Sequence, residues 1–306
     1  MSGIVVTDIV KIYSTRGKEV KALDGVSFEA RKGEITSIVG HNGAGKTTML
    51  KILSTLVIPT SGTATVNGYD VVKDEKKVRE NIGLVTVSDR LFYYRLTGFD
   101  NLIFFGVLQG LSLSDAKRRA NDVLELVDLY EWKNTQYMKY STGMQRKLAL
   151  ARALLTDPPV ILLDEPTLGL DPVSARVFRE NLQKLKKTVL LTSHYLKEVE
   201  DLSKRVIVFK KGHVVASGEP QELKSSIGKV YEGKVYEVPS GMERYVVKIE
   251  GNYAVMRVPE REIHNVELYE LREVTPTMDD VYVYFVEEGV DVTREGRKRG
   301  DARWRD

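Results

Sequence analysis

Apolar residues arrive in two rhythms along this chain. Residues 4–13 and 19–39 alternate and cluster apolar side chains as strands do, with turns expected at Gly17, Gly25 and Gly33. Residues 35–39 form a short apolar run that ends in glycines, and residues 47–56 then take a helical spacing, so a buried strand feeds a helix. After Pro59, SGTATVNGYDV predicts a strand folded about an Asn67-Gly68 turn. The helical period returns from about residue 97 to 128. It returns again after Ser141, where Met144, Leu148, Ala151 and Leu155 share one stripe and mark a core face. Residues 160–163 read as a second buried strand, 172–186 as a helix and 188–191 as a third strand, and this alternation predicts a parallel sheet.

Around residues 218–226 the composition turns polar. RYVVKIE and YAVMRVP then read as paired strands across Gly251-Asn252, and Thr277 with Asp280 reads as an N-cap pair opening a short helix. The expected division is a main domain over 1–225 with a helical part at about 89–157, a small α+β appendage over 226–290, and a basic mobile tail over 291–306. In that tail residues 294–305 carry six basic and two acidic side chains without periodicity. A chain of 306 residues suits a main domain plus an appendage. Its net charge of +3, from 46 basic and 43 acidic residues, imposes no global field, so any charged partner must be met locally. The absence of cysteine excludes disulfides, thiolate metal sites and a cysteine nucleophile. The start, MSGIVVTDIV, lacks a basic region before a long apolar stretch, and nothing approaches 18 uninterrupted apolar residues, so a cytosolic protein is expected.

GHNGAGKT, residues 40–47, fits the strand–GxxxxGK[ST]–helix pattern in its required setting. Glycines let backbone N–H groups turn inward around phosphates, the helix N-terminus adds partial positive charge, and Lys46 reaches the terminal phosphates. The expected contacts are Gly40, Asn42, Gly43, Ala44, Gly45, Lys46, Thr47 and Thr48, with the Thr47 hydroxyl on Mg²⁺. In VILLDEP, a buried strand stops at Asp164 and Glu165, on the sheet edge where nucleotide sites lie. Asp164 is the candidate for the metal shell and Glu165 for orienting the attacking water; read alone, the pair is equally a solvated strand end. LLTSHYL sets His194 on the same edge, opposite a γ-phosphate, whereas His41, His213 and His264 have no such setting. YSTGMQ, residues 140–145, opens a helix with a serine cap, a glycine and no charge, a start suited to an anion.

With YSTGMQRKLALARALL before VILLDEPTLGLDP and TSH, residues 3–222 resemble the ATP-binding subunit of an ABC transporter, and REVTPTMDDVYVYF resembles the ending of exporter-type members of the drug-resistance group. The resemblance implies an α/β P-loop NTPase of ABC ATPase type, with a mixed sheet core and a helical subdomain. It implies two copies head to tail, the signature Ser141, Gly143 and Gln145 of one covering the γ-phosphate on the loop of the other, in place of an arginine. The D-loop Asp171 falls at that interface, and Tyr13 falls where the family stacks an aromatic on adenine, though a strand tyrosine packed on the core is the other reading. The implied activity is Mg-ATP hydrolysis with Glu165 as base and His194 sensing the γ-phosphate. It drives export through a separate membrane permease, so the chain sits peripherally on the inner membrane face, with a homodimer or paralogous ATPase as mate and no nucleic acid. The rival is a soluble ABC ATPase acting on ribosomes or nucleic acid.

One departure stands out. Where the family carries the Q-loop glutamine, this chain has Val87 or Ser88, so slower or more partner-dependent hydrolysis is expected. Just beyond, Phe92, Tyr93 and Tyr94 precede Arg95; they are either core or a surface for the permease's cytoplasmic helix. The appendage reads as a stabilising or dimer-bracing element in preference to a ligand sensor, and the tail as solvated.

Overall fold

A long antiparallel hairpin opens the chain in the computed structural model, which describes residues 2–15, 17–86 and 92–286. β1 (Ser2–Thr15) pairs with β2 (Lys18–Arg31). The turn expected at Gly25 is absent, because the strand runs through it. Pairing slips between Ile9 with Val26 and Lys11 with Leu23, so Gly25, at φ 67°, belongs to a bulge inside β2. β3 (Ile35–Val39) then delivers the chain to α1 (Lys46–Leu53), shorter than the expected 47–56. Thr55 enters the left-handed region at φ 62°, and the amides of Leu56 and Val57 both turn back to the Lys51 carbonyl, which ends the helix. β4 (Ser61–Val66) pairs with β1 and, across Asn67 and Gly68, both at positive φ, with β5 (Tyr69–Asp70).

After α2 (Glu75–Glu80) and β6 (Ile82–Val85), the helical stretch resolves into α3 (Gly98–Leu108) and α4 (Leu113–Leu126). Gly110 at φ 93° separates them, and Ser112 caps α4 by accepting from the Asp115 amide at 3.1 Å. α5 (Thr142–Ala153), β7 (Val160–Asp164), α6 (Pro172–Lys184) and β8 (Thr188–Ser193) follow in the expected alternation, and α7 (Leu196–Leu202) and β9 (Arg205–Lys210) extend it. The parallel strands lie in the order β9-β3-β8-β7-β6.

Period-two alternation decides which core each strand residue joins. Val160, Leu162 and Leu190 face a core with Ile38, Met49 and the β1/β2 layer, while Ile161, Leu163, Val189 and Leu191 face a core with α4 and α5. Every residue of β7 and β8 is buried, as a parallel strand covered on both faces requires. The end of α5 comes close to β6 because Gly83 has no side chain: a Cβ there would stand 2.2 Å from the Ala153 carbonyl.

The chain divides into two units at Val214 and Val215, and β10 (His213–Gly218) carries it across. The second unit holds α8 (Pro220–Ser226) and an antiparallel sheet in the order β12-β13-β11-β14. Its strands are β11 (Val230–Val235), β12 (Val246–Glu250), β13 (Tyr253–Pro259) and β14 (Tyr269–Val274), with α9 (Met278–Val286) closing the described chain. Glu250 opposes Tyr253 across the Gly251-Asn252 turn. Thr277 and Asp280 form the expected reciprocal cap, with Thr277 N donating to Asp280 Oδ2 at 2.8 Å and Asp280 N to Thr277 Oγ1 at 3.4 Å. Asp280 also accepts from Arg257 at 2.8 and 2.9 Å, which raises the guanidinium pKa. The basic tail expected over 291–306 lies outside the described residues, as do residues 287–290.

Gly83→Ala tests the close approach of α5 to β6. Overpacking against a backbone carbonyl should cost about 2 kcal/mol, read as a lowered urea midpoint at unchanged slope.

Candidate nucleotide site

The phosphate loop between β3 and α1 is fixed by backbone contacts that exclude side chains. Gly45, the N-cap of α1, has φ 104°, and a Cβ there would stand 2.6 Å from the Ala22 carbonyl. At Gly40 it would stand 2.7 Å from the Phe209 carbonyl, so the loop is pressed between β2 and β9. Asn42 and Gly43 are exposed, Ala44 is buried and Thr48 half-buried. Lys46 is buried and folds back along the loop, its Nζ donating to the carbonyls of Gly40 at 2.6 Å and His41 at 3.3 Å.

The two carboxylates at the end of β7 meet this lysine and the first turn of α1. Thr47 Oγ1 donates to Asp164, 3.2 and 3.1 Å from its two oxygens, and Thr192 Oγ1 at the end of β8 donates to Asp164 Oδ1 at 2.7 Å. Lys46 Nζ stands 3.6 Å from Glu165 Oε1, and Glu165 Oε2 is 2.7 Å from His194 Nδ1, so a proton on that nitrogen is donated to the carboxylate. Glu165 has φ 46°, a left-handed turn held by its amide donating to the Thr192 hydroxyl at 3.0 Å and the Thr192 carbonyl at 3.2 Å. Asp164 and Glu165 are both buried, so the solvated strand end does not apply: their charge is compensated by Lys46 and by donated hydrogen bonds. Of the other histidines, His213 faces Asp24 at 3.6 Å, and His264 lies in the second unit.

α5 begins at the signature. Ser141 caps it by accepting from the Met144 amide at 3.2 Å, and its first turn carries no acid. A Cβ on Gly143 would lie 3.0 Å from the Ser174 hydroxyl, so glycine brings this helix start against the first turn of α6. There Asp171 is the cap, accepting from the amides of Val173 and Ser174 at 3.0 Å. The Ser174 side chain and these amides hold its carboxyl below the usual carboxylate range. Gln145 turns back, its Nε2 donating to the Tyr140 carbonyl at 3.1 Å. Tyr140 is buried and donates to the Trp132 carbonyl at 2.9 Å, and burial pushes its pKa up to about 12. Tyr13 stands on β1 opposite Val20 with its ring exposed and the Lys11 ammonium 5.0 Å from the ring centroid. Core packing of that ring is therefore not what the structure has. Val87 and Ser88 lie outside the described residues.

The aromatic run after β6 splits. Phe92 is buried against Phe105 and Tyr137, with the Arg152 guanidinium 5.5 Å from its ring centroid, while Tyr93 and Tyr94 are exposed. Sequence reasoning missed Thr192, Thr167, Ser193 and Glu198; the only cue was a polar pair, Thr192-Ser193, closing an otherwise apolar strand.

An ABC transporter family model matches residues 23–168. The ABC transporter ATP-binding protein NatA of Bacillus subtilis is 40% identical over 226 residues, covering 73% of this chain and 92% of that protein. The chain belongs to the ABC transporter ATP-binding family. The doxorubicin resistance ATP-binding protein DrrA of Mycobacterium tuberculosis is 42% identical over 231 residues, covering 74% of this chain and 69% of the relative. Among solved structures, a dimeric ATP-binding cassette in a post-hydrolysis state, bound to ADP and Pi, superposes with a TM-score of 0.64 at 28% identity, covering 71% of this chain and 98% of that one. The family's members hydrolyse ATP to power transport, and this chain is an ATPase subunit of the exporter type. The alternative of a soluble ATPase on ribosomes or nucleic acid is not favoured by these relatives.

Thr192→Val keeps the volume of the β8 end and removes one hydroxyl. It should cost about 2 kcal/mol by leaving the Asp164 and Glu165 groups short of a partner, seen in chemical denaturation, and should slow ATP turnover in the same preparation.

Proposed function

We propose that this chain binds Mg-ATP on its phosphate loop and hydrolyses it only when a second ATPase chain supplies a signature helix, driving export through a separate membrane permease. The observation that carries the reading is the division of the anion-ready groups. Lys46 is surrounded by Gly40, His41 and Glu165, whereas Gly143 is surrounded by Ser174 and Ser141, and the two neighbourhoods share no residue. Two helix starts with no acid at the cap or in the first turn, those of α1 and α5, suit two nucleotides better than one.

In this reading the amides from Gly40 to Thr48 cradle the phosphates, and Lys46 exchanges the loop carbonyls for the terminal phosphate oxygens. Glu165, released from Lys46, accepts a proton from the attacking water, and His194 is held on Glu165 so that its other ring nitrogen faces the γ-phosphate. Ser141 and Gly143 of the mate donate from the other side, with Gln145 and Asp171 beside them, and Tyr13 offers its exposed face to adenine. Magnesium fits the donors present: Thr47 and Asp164 are hard oxygen groups already 3.1–3.2 Å apart, and this ion keeps most of its shell as water and phosphate oxygens. When bound it neutralises phosphate charge.

No helix among the described residues is long and apolar enough to cross a membrane. In this reading the permease is a separate chain. Its docking surface is the exposed pair Tyr93 and Tyr94 with Phe104, Val107 and Leu108 of α3, apolar side chains on the helical side of the site.

Glu165→Gln tests the reading. Turnover should fall about 10²-fold or more, and the ATP-loaded variant should elute as a dimer; unchanged turnover, or a strictly monomeric variant even with the permease present, overturns it. Ser141→Asp adds a second arm. It keeps the helix cap, so thermal stability should hold, but it sets a negative charge against the mate's γ-phosphate and should abolish ATP-dependent dimerisation.

A further inference from the structure

Behind the catalytic pair lies a buried carboxylate that the mechanism above does not use. Glu198, on the first turn of α7, is 5% exposed, and its Oε1 has no hydrogen-bond partner among the described residues. Its Oε2 accepts from Thr167 Oγ1 at 2.5 Å and from Ser193 Oγ at 3.4 Å, and Ser193 Oγ also accepts from the Tyr195 amide at 3.0 Å. Thr167 stands two residues after Glu165, and Ser193 immediately before His194. With the 2.7 Å contact between Glu165 and His194, these bonds close a ring that runs from Glu165 through Thr167, Glu198 and Ser193 to His194 and back.

Resting on the reading of Glu165 and His194 given above, we propose that Glu198 is a positioning residue for hydrolysis: its carboxylate joins Thr167 to Ser193 and so fixes the distance between the catalytic base and the switch histidine. Burying a carboxylate with one oxygen unpaired is costly, and an apolar side chain would fill the space more stably if packing were the only need. The charged groups that act on it are the Arg179 guanidinium of α6, which favours its ionised form, and the Glu165 carboxylate, which opposes it. Burial raises its pKa and Glu165 adds to that rise, against the hydrogen bonds from Thr167 and Ser193 and the charge of Arg179. Thr167 also opens the segment that runs to Asp171, so the same carboxylate connects the histidine to the loop facing the mate.

The test is steady-state ATP hydrolysis by the full chain copurified with its membrane subunit. Glu198→Ala should lower kcat about tenfold or more while the KM for ATP stays within about twofold, since the phosphate loop is untouched. Glu198→Gln should recover most of that kcat, because its amide oxygen accepts the Thr167 hydroxyl as the carboxylate does. Should Glu198→Ala fail to fold, Thr167→Val, nearly isosteric, decides the matter by the same kcat loss. An unchanged kcat in Thr167→Val, a KM that rises in step with the loss of kcat, or a Gln variant no better than Ala overturns the proposal. Glu165→Gln in the same preparation keeps the two questions apart: if it retains turnover, the catalytic reading fails, whatever Glu198 does.

Discussion

A single threonine hydroxyl holds the chemistry of this molecule in place. Thr192 Oγ1 donates to Asp164 and accepts from the Glu165 amide, across the last rung of the parallel pair β7 and β8. Those two strands are buried throughout, an environment that excludes bare carboxylates, since desolvating one without compensation costs far more than a domain's net stability. Two acids are tolerated in succession because the sheet ends there, and because Thr192 of β8 and Thr47 and Lys46 of α1 bring donors to them. The left-handed turn at Glu165 follows from the same constraint, its amide being drawn to Thr192 while its side chain goes to Lys46 and His194.

This arrangement stores its lysine in a competed position. Lys46 divides its three protons between loop carbonyls, which are neutral acceptors, and a carboxylate 3.6 Å away, which is charged but not in hydrogen-bond range. A terminal phosphate offers the ammonium charged oxygens at close range, and charge-assisted bonds are about twice as strong as neutral ones. In the proposed mechanism this exchange frees Glu165 when ATP arrives. On that proposal Glu165 is a base held by its own lysine until phosphate takes the lysine away, and the buried setting sharpens each of these interactions.

How much of this was legible in the sequence depended on how local each feature is. The strand–loop–helix around Lys46, the buried strand before Asp164 and the cap at Thr277 are short-range patterns, and they appear as read. Gly25 was misread because a glycine at positive φ marks a bulge as well as a turn, and only the pairing partner on β1 separates the two. Phe92, Tyr93 and Tyr94 could not be sorted, since consecutive aromatics outside a regular element carry no period; the fold buries the first and exposes the others. Glu198 was invisible for a deeper reason. In sequence it is one charged residue among several on a short helix, and its meaning comes from Thr167, 31 positions away. Gly83 is similar, because what forbids a side chain there is the carbonyl of Ala153.

The helix starts separate structure from function by charge. α2, α3, α4, α7, α8 and α9 carry an acid in the first turn, the ordinary way to stabilise the positive end of a helix dipole. α1, α5 and α6 carry none. For α5 the cap is serine, whose oxygen accepts from Met144 while its hydroxyl proton stays available to an outside acceptor; aspartate would cap as well but would have no proton to give and a charge to repel. α6 keeps an aspartate, Asp171, but at the cap itself, its charge taken up by the Ser174 side chain and two amides. Forgoing first-turn acids costs these helices a few tenths of a kcal/mol each. Under the proposed function, the missing acids leave the helix after the phosphate loop and the helix that opens at the signature both electropositive for the same kind of ligand.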